Sequence, residues 1–249
     1  MSSHVLLDNV THRHLRILPG HGRGRGGEVN VARVFPVEFA ALQREYPLFL
    51  MKNMESGHFD TVALLGFEEG ENLFLTEQGW AAETLPLTIQ RQPFLIGFRE
   101  QSIDGYPQRS PVVHVDLGHP SVSFSEGESV FLPHGGEGPL LERVTSLLGT
   151  IHQGHGVAQS LSQLLVGLEL TEPVTVEVEF GDGTRRSLTG LHGIHEARFQ
   201  QLAPEALGAL HASGHLQDVL LLRVSVQNVQ RLVERKNQTL TAGAKTGSI

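Results

Sequence analysis

Cysteine is absent from the 249 residues, which excludes disulfides, thiol nucleophiles and thiolate metal sites together. Aromatic residues are few, with one Trp and two Tyr, so Trp80, Tyr46 and Tyr106 stand out as large contact surfaces able to shape a pocket. Positive charge is also short: 19 Lys plus Arg face 27 Asp plus Glu, for a formal charge of −8. Nonspecific nucleic-acid affinity comes from cations that neutralise phosphates, so no nucleic-acid partner is expected. The densest basic stretch, residues 12–25, carries Arg13, Arg16, Arg23 and Arg25 among glycines and reads as a mobile arm. No run approaches the ~20 apolar residues that span a bilayer, and the first residues lack a basic region followed by an apolar run. A cytoplasmic protein without direct membrane insertion is expected.

The remaining composition supports folding. Hydrophobic residues make up 39% and charged residues 18%, far from a disordered mixture, and a chain of this length hides roughly 70% of its extended surface on folding. Residues 19–28, PGHGRGRGGE, lack both the G-x-G-x-x-G spacing and the strand-to-helix setting of a dinucleotide loop. They are expected to form a flexible loop.

Hydrophobic periodicity gives the elements. Residues 37–45 read as a short amphipathic helix stopped by Pro47. The apolar runs 61–67 and 72–75 flank the acidic turn Glu68 to Glu71 and are expected to pair as a hairpin; the turn carboxylates are expected to be solvated. Residues 86–93 and 94–98 read as strand-like. In 111–117, Val113, Val115 and Leu117 project one way and His114 and Asp116 the other. Leu140, Val144, Leu147, Leu148 and Ile151 mark a helix that Gly154 and Gly156 are expected to weaken or kink. The clearest strand pair is 174–180 with 185–190 around Asp182-Gly183. Residues 198–202 and 204–211 are short helices, and 218–226 reads as a buried strand, with a helix start as the other reading. Residues 226–237 form an amphipathic helix with Arg231 and Arg235 on a wet stripe, and 238–249 are expected to be a flexible tail. The implied fold class is α+β, with antiparallel hairpins packed against helices. It is expected as a mixed single domain or as two closely packed lobes, 31–134 and 139–237.

VFPVEFAALQREYPLFL, VALLGFEEGENLFL with Trp80, RQPFLIGF, PSVS, FSEGESVF, LLERVTSLL, LELTEPVTVEVEFGDGTRRSLTGLHGIHEARFQQL, PEALGALHASGHL and NVQRLVERKN follow one another in this order. Over residues 31–237 the set resembles the SapC-like family of bacterial proteins. Related genes often lie near those for outer-membrane TonB-dependent receptors, flavin-dependent tryptophan-halogenase-like proteins and cupin-like oxygenases. The resemblance therefore implies an accessory role in nutrient-linked peptide or carbohydrate metabolism, or in modifying a receptor-associated protein. It supplies no catalytic residues. The chain departs from the usual family pattern at Gly118-His119, His195 and His114.

Two functional readings follow. In the first, Arg91 and Arg99 flank the apolar run 94–98 and, with His114 and Trp80, border a cleft. Arginine forks and aromatic area suit a peptide or protein substrate, and a glycan also fits. The chain is then a non-catalytic binding or accessory protein that serves a modifying enzyme, linked to an outer-membrane uptake system. In the alternative, a metal-dependent oxygenase, Fe(II) is held by His114 and Asp116 with His192 or His195, because such sites use two imidazoles and a carboxylate. His119 is a competing ligand. Neither an H-E-x-x-H zincin motif nor a G-x-S-x-G nucleophile elbow is present.

Overall fold

The computed structural model describes residues 4–103 and 106–246, without the side chains of 101–103, 106–108 and 243–246. Asp104 and the Tyr106 ring lie outside the described residues. In chain order the strands are β1 (His4–Leu6), β2 (Arg16–Ile17), β3 (Val31–Val34), β4 (Leu48–Lys52), β5 (Phe59–Leu64), β6 (Leu75–Thr76) and β7 (Gly79–Trp80). They continue with β8 (Phe94–Ile103), β9 (Tyr106–Asp116), β10 (Val122–Ser123), β11 (Glu128–Ser129), β12 (Thr171–Glu179) and β13 (Arg185–Ile194). The helices are α1 (Phe39–Leu42), α2 (Leu87–Gln90), α3 (Pro139–Gly167), α4 (Glu196–Gln200), α5 (Pro204–Ala212), α6 (His215–Ser225) and α7 (Asn228–Thr246). The architecture is α+β, with antiparallel sheets packed against helices. None of the described helices is long and apolar enough to cross a membrane.

The chain divides into two units, each assembled from three stretches. Met1–Glu28, Leu75–Trp80 and Leu87–Gln153 form the first; Val29–Phe74, Ala81–Pro86 and Gly154–Ile249 form the second. The expected lobes ran consecutively along the chain, whereas these units interleave.

The first unit is built on the sheet β1-β9-β8. Strand alternation places Val113 and Val115 together, and Val115 joins Leu15, Phe94, Val130, Leu141, Val144 and Leu148 in a core. The spacing of Leu141, Val144 and Leu148 puts all three on one face of α3. A small sheet, β10-β2-β11, has β2 at its centre. The basic stretch is thus tied into the fold: Arg16 lies in β2 and its Nη1 donates to the Gly127 carbonyl at 2.7 Å.

The second unit holds the five-stranded antiparallel sheet β12-β13-β4-β5-β3. The β12–β13 pair has a register shift between Val174 and Val176, and its turn uses Gly183 at φ +82°. Tyr46 is fully buried there, its ring 4.5 Å from that of Phe74 and its hydroxyl donating to the Thr84 carbonyl at 2.5 Å.

Several expectations are corrected. Residues 61–67 and 72–75 do not form a hairpin: β5 is nearly buried throughout and takes β3 and β4 on its two edges, while Leu75 pairs instead with Trp80. Residues 87–90 are the helix α2, not a strand. Helix α3 runs unbroken through Gly154 and Gly156. Gly154 lets the Phe35 ring approach so closely that a Cβ would stand 3.0 Å from it, so packing offsets the ~1 kcal/mol propensity cost of a helical glycine. The strand reading of 218–226 gives way to α6, because Val219, Leu222 and Ser225 are buried at three-residue intervals. Helix α7 continues through the residues expected to be a tail, as far as Thr246.

Candidate functional site

A cleft of about 550 Å³ opens in the first unit, a size suited to a small molecule or a few peptide side chains. Strand residues Ile96, Pro111 and Val113 form one wall, α3 contributes Leu141, Leu148 and Gly149, and Leu6 and Leu7 close one side. These positions follow from local sequence. The β alternation turns Val113 toward the core, and the 3–4 spacing of Leu141, Thr145, Leu148 and His152 presents one stripe of α3. Nothing lies within 4 Å of where a Gly149 Cβ would be, so this glycine leaves open space against the helix.

Charged groups stand at the margin. Arg99, Glu137 and Asp8 line the cleft. Among the described residues neither Arg99 nor Glu137 has an ion-pair partner within 4.0 Å. Asp8 is committed locally: its Oδ1 accepts from the backbone amides of Val10 at 2.9 Å and Thr11 at 2.7 Å. The Thr11 amide is the main cause holding this carboxyl below the usual carboxylate range. Asn9 Nδ2 donates to the Gly135 carbonyl at 2.7 Å and so ties the two loops at the rim. His152 sits beside Phe98, with ring centroids 5.5 Å apart. A depression of similar volume lies along Arg13, Arg16, Phe124 and Pro133, but Arg13 and Arg16 donate there to backbone carbonyls of Pro133 and Gly127.

Of the four residues expected to bind ligand, Arg99 lines the cleft and the other three do not. Arg91 Nη1 donates to the Phe94 carbonyl at 2.6 Å, and burial lowers the pKa of its guanidinium. His114 takes the opposite strand phase from Val113 and Val115, and its imidazole lies against Gly97, where a Cβ would meet it at 2.8 Å. Arg99 shares the phase of Gly97, but it sits exposed on the outer strand and reaches the cleft wall. Trp80 pairs with Leu75 in the β6–β7 hairpin. Tyr46 is core of the second unit.

The alternative Fe(II) set is not assembled. The Asp116 carboxylate lies 3.7 Å from His4 Nε2 and accepts from the Gly118 amide at 3.0 Å. His192 packs edge-on against Phe59 in the second unit, with centroids 4.9 Å apart. His195 caps α4, accepting from the Arg198 amide, and lies 3.6 Å from Glu172. Among the described residues no three His, Asp or Glu side chains are grouped so as to hold a metal. Short H-x-D spacing puts two candidate ligands on one strand face, but the Asp116 carboxylate is engaged by the Gly118 amide and His114 lies against Gly97.

Sequence reasoning missed Gly149, Glu137 and Asn9 as cleft residues. Gly149 alone carried a signal: it is a small residue beside the apolar stripe of a helix, where a cavity can open.

The SapC family model matches residues 7–232. The chain belongs to the SapC family. No curated protein and no solved structure matches it. Membership in the SapC family places the cleft and both units within the matched region, apart from the ends of the chain.

Proposed function

We propose that this SapC-family chain is a non-catalytic binding or accessory protein that holds an apolar peptide segment in the cleft of its first unit. The observation that carries the reading is an apolar floor bordered by a cation and a carboxylate, Arg99 and Glu137, neither of which has an ion-pair partner among the described residues. Apolar side chains gain by leaving water for the floor, Arg99 can grip a peptide carbonyl or carboxylate through two parallel hydrogen bonds, and Glu137 accepts from a peptide amide or a basic side chain. The reading extends to presentation of a peptide or protein substrate to a modifying enzyme in the cytoplasm of a bacterium, as the surroundings of related genes imply.

A peptide library displayed against the whole protein, followed by calorimetry on the best sequences, tests the proposal. Selected peptides should carry apolar residues and bind with saturation. Gly149→Leu, whose Cβ meets no atom within 4 Å and whose branch projects into the cleft, should abolish that binding while the protein stays folded. Undiminished binding to Gly149→Leu, or no selected peptide at all, overturns it.

A further inference from the structure

A smaller cavity of about 250 Å³ in the first unit carries chemistry that the peptide reading does not use. The glycine-rich loop supplies His21 and Arg25, the chain after α2 supplies Gln92, and the turn after β9 supplies His119. Three buried polar atoms of its lining residues have no hydrogen-bond partner among the described residues: Arg25 Nη1, Gln92 Oε1 and His119 Nε2. Leaving one such atom unsatisfied is costly, and native interiors rarely do so. No carboxylate among the described residues pairs with Arg25 within 4.0 Å.

The protonation of His119 follows from its other nitrogen. Nδ1 accepts from the Ser121 backbone amide at 3.2 Å and lies 2.7 Å from the Ser121 hydroxyl. The neutral ring therefore carries its proton on Nε2, and burial lowers the pKa of this imidazole. Arg25 Nη1 and His119 Nε2 are then two unmet donors, and Gln92 Oε1 is an unmet acceptor. All three atoms are buried, and over His119 the cover is the loop itself. Gly26, at φ +83°, lies so close over His119 that a Cβ there would fall 2.2 Å from Nε2. Only a glycine in this left-handed conformation can cover the ring so tightly.

We propose that this cavity is a binding site for a small hydroxylated carboxylate, with the glycine-rich loop as its movable cover. The carboxylate oxygens accept from Arg25 and His119, and a hydroxyl donates to Gln92 Oε1. The volume limits the ligand to a compact acid no larger than a single sugar acid, either free or at the end of a glycan.

The test is titration calorimetry on the full chain with glucuronate and glycerate, compared with glucose, which lacks the carboxylate, and cyclohexanecarboxylate, which lacks the hydroxyls. Glucuronate or glycerate should saturate and should bind at least about tenfold more tightly than either comparison compound, since charged hydrogen bonds are lost with the carboxylate and an acceptor stays buried without the hydroxyl. Arg25→Gln should weaken binding at least about tenfold, whereas Arg185→Gln, the same charge change on the exposed β12–β13 hairpin, should leave it unchanged. Gln92→Met should erase the preference for glucuronate over cyclohexanecarboxylate, which tests the site even if Arg25→Gln fails to fold. A glucuronate-bearing oligosaccharide that binds more tightly than free glucuronate identifies the glycan source; weaker binding identifies the free acid. Absence of saturation with both acids, or equal binding of all four compounds, overturns the proposal.

Discussion

The two units differ in how fully their buried polar groups are partnered. In the second, buried polar side chains are matched to backbone groups. Asn228 Nδ2 donates to the carbonyls of Gln43 at 2.7 Å and Tyr46 at 3.1 Å, Ser162 Oγ accepts from the Phe59 amide at 2.8 Å, and Ser225 Oγ accepts from the Leu48 amide at 3.0 Å. Its charges are matched too: Lys236 Nζ lies 2.5 Å from Glu71, and Glu68 takes a hydrogen bond from Arg186 at 2.9 Å. His192 Nδ1 is the exception there. The first unit contains the other three unpartnered buried side-chain atoms found among the described residues, and the three cavities described above. Saturated polar contacts hold one arrangement, while unsaturated ones are available to a ligand. Under the binding reading proposed above, the second unit supplies stability and the first recognises the ligand.

The comparison breaks first if the second unit tolerates damage. Tyr46→Ala removes a fully buried ring and its hydrogen bond, and should cost about 3–5 kcal/mol. Asn228→Ala leaves two buried carbonyls without their donor and should cost about 2–4 kcal/mol. Urea unfolding followed by far-ultraviolet circular dichroism measures both. A loss below about 1 kcal/mol for Tyr46→Ala would remove the second unit from its structural role.

Acid sharpens the same contrast, and the single tryptophan makes it measurable because Trp80 belongs to the first unit. Burial lowers the pKa values of His119 and His21, with Asp116 and Glu28 opposing this at His119 and His21 reinforcing it. Below about pH 6.5 the unfolded chain binds protons that these folded rings refuse, so the first unit loses stability as pH falls from there toward the depressed folded values. Glu68 behaves differently. The Arg186 hydrogen bond, with Lys236 nearby, lowers its pKa, so its contribution is present above the ordinary value of 4.5 and is lost as pH falls through the depressed one. The urea midpoint reported by Trp80 fluorescence should therefore drop between pH 7.5 and 5.5. An unchanged midpoint would contradict the assignment.

How much of this was legible beforehand depends on whether the deciding contact was local. The β12–β13 hairpin and the phase of β9 were readable because alternation and a turn dipeptide are local signals. So was the first half of α3. The pairing of β5 was not: its apolar run says that both faces are buried, but not that its edges pair with β3 and β4. Arg231 and Arg235 looked like a solvated stripe, yet they donate to the carbonyls of Arg44 and Ala81, and Arg235 also lies 4.5 Å from the Phe74 ring centroid. Helical spacing shows which residues share a face but not what meets it. At the candidate site the same limit holds: the chemistry of Arg91, His114 and Trp80 is readable in the sequence, but not that Arg91 bonds the Phe94 carbonyl, that His114 lies against Gly97 or that Trp80 pairs with Leu75. The glycine-rich loop carries no phosphate motif, yet its His21 and Arg25 line a cavity, which no local pattern announces.

Smaller perturbations test whether the cleft is preserved open space. Gly149→Ala meets no atom within 4 Å and removes a flexible residue from the interior of α3. It should stabilise the protein by about 1 kcal/mol. The surface pair Arg143–Glu128, 2.7 Å apart but exposed on both sides, should matter less: Arg143→Ala should change stability by under about 1 kcal/mol. The two variants separate packing from charge on the same helix. If Gly149→Ala destabilises, the space beside it is not free in solution and the cleft is narrower than described. If it stabilises and peptide affinity falls as well, the gap has been kept at a cost in helix stability, as expected of a position retained for binding rather than for folding.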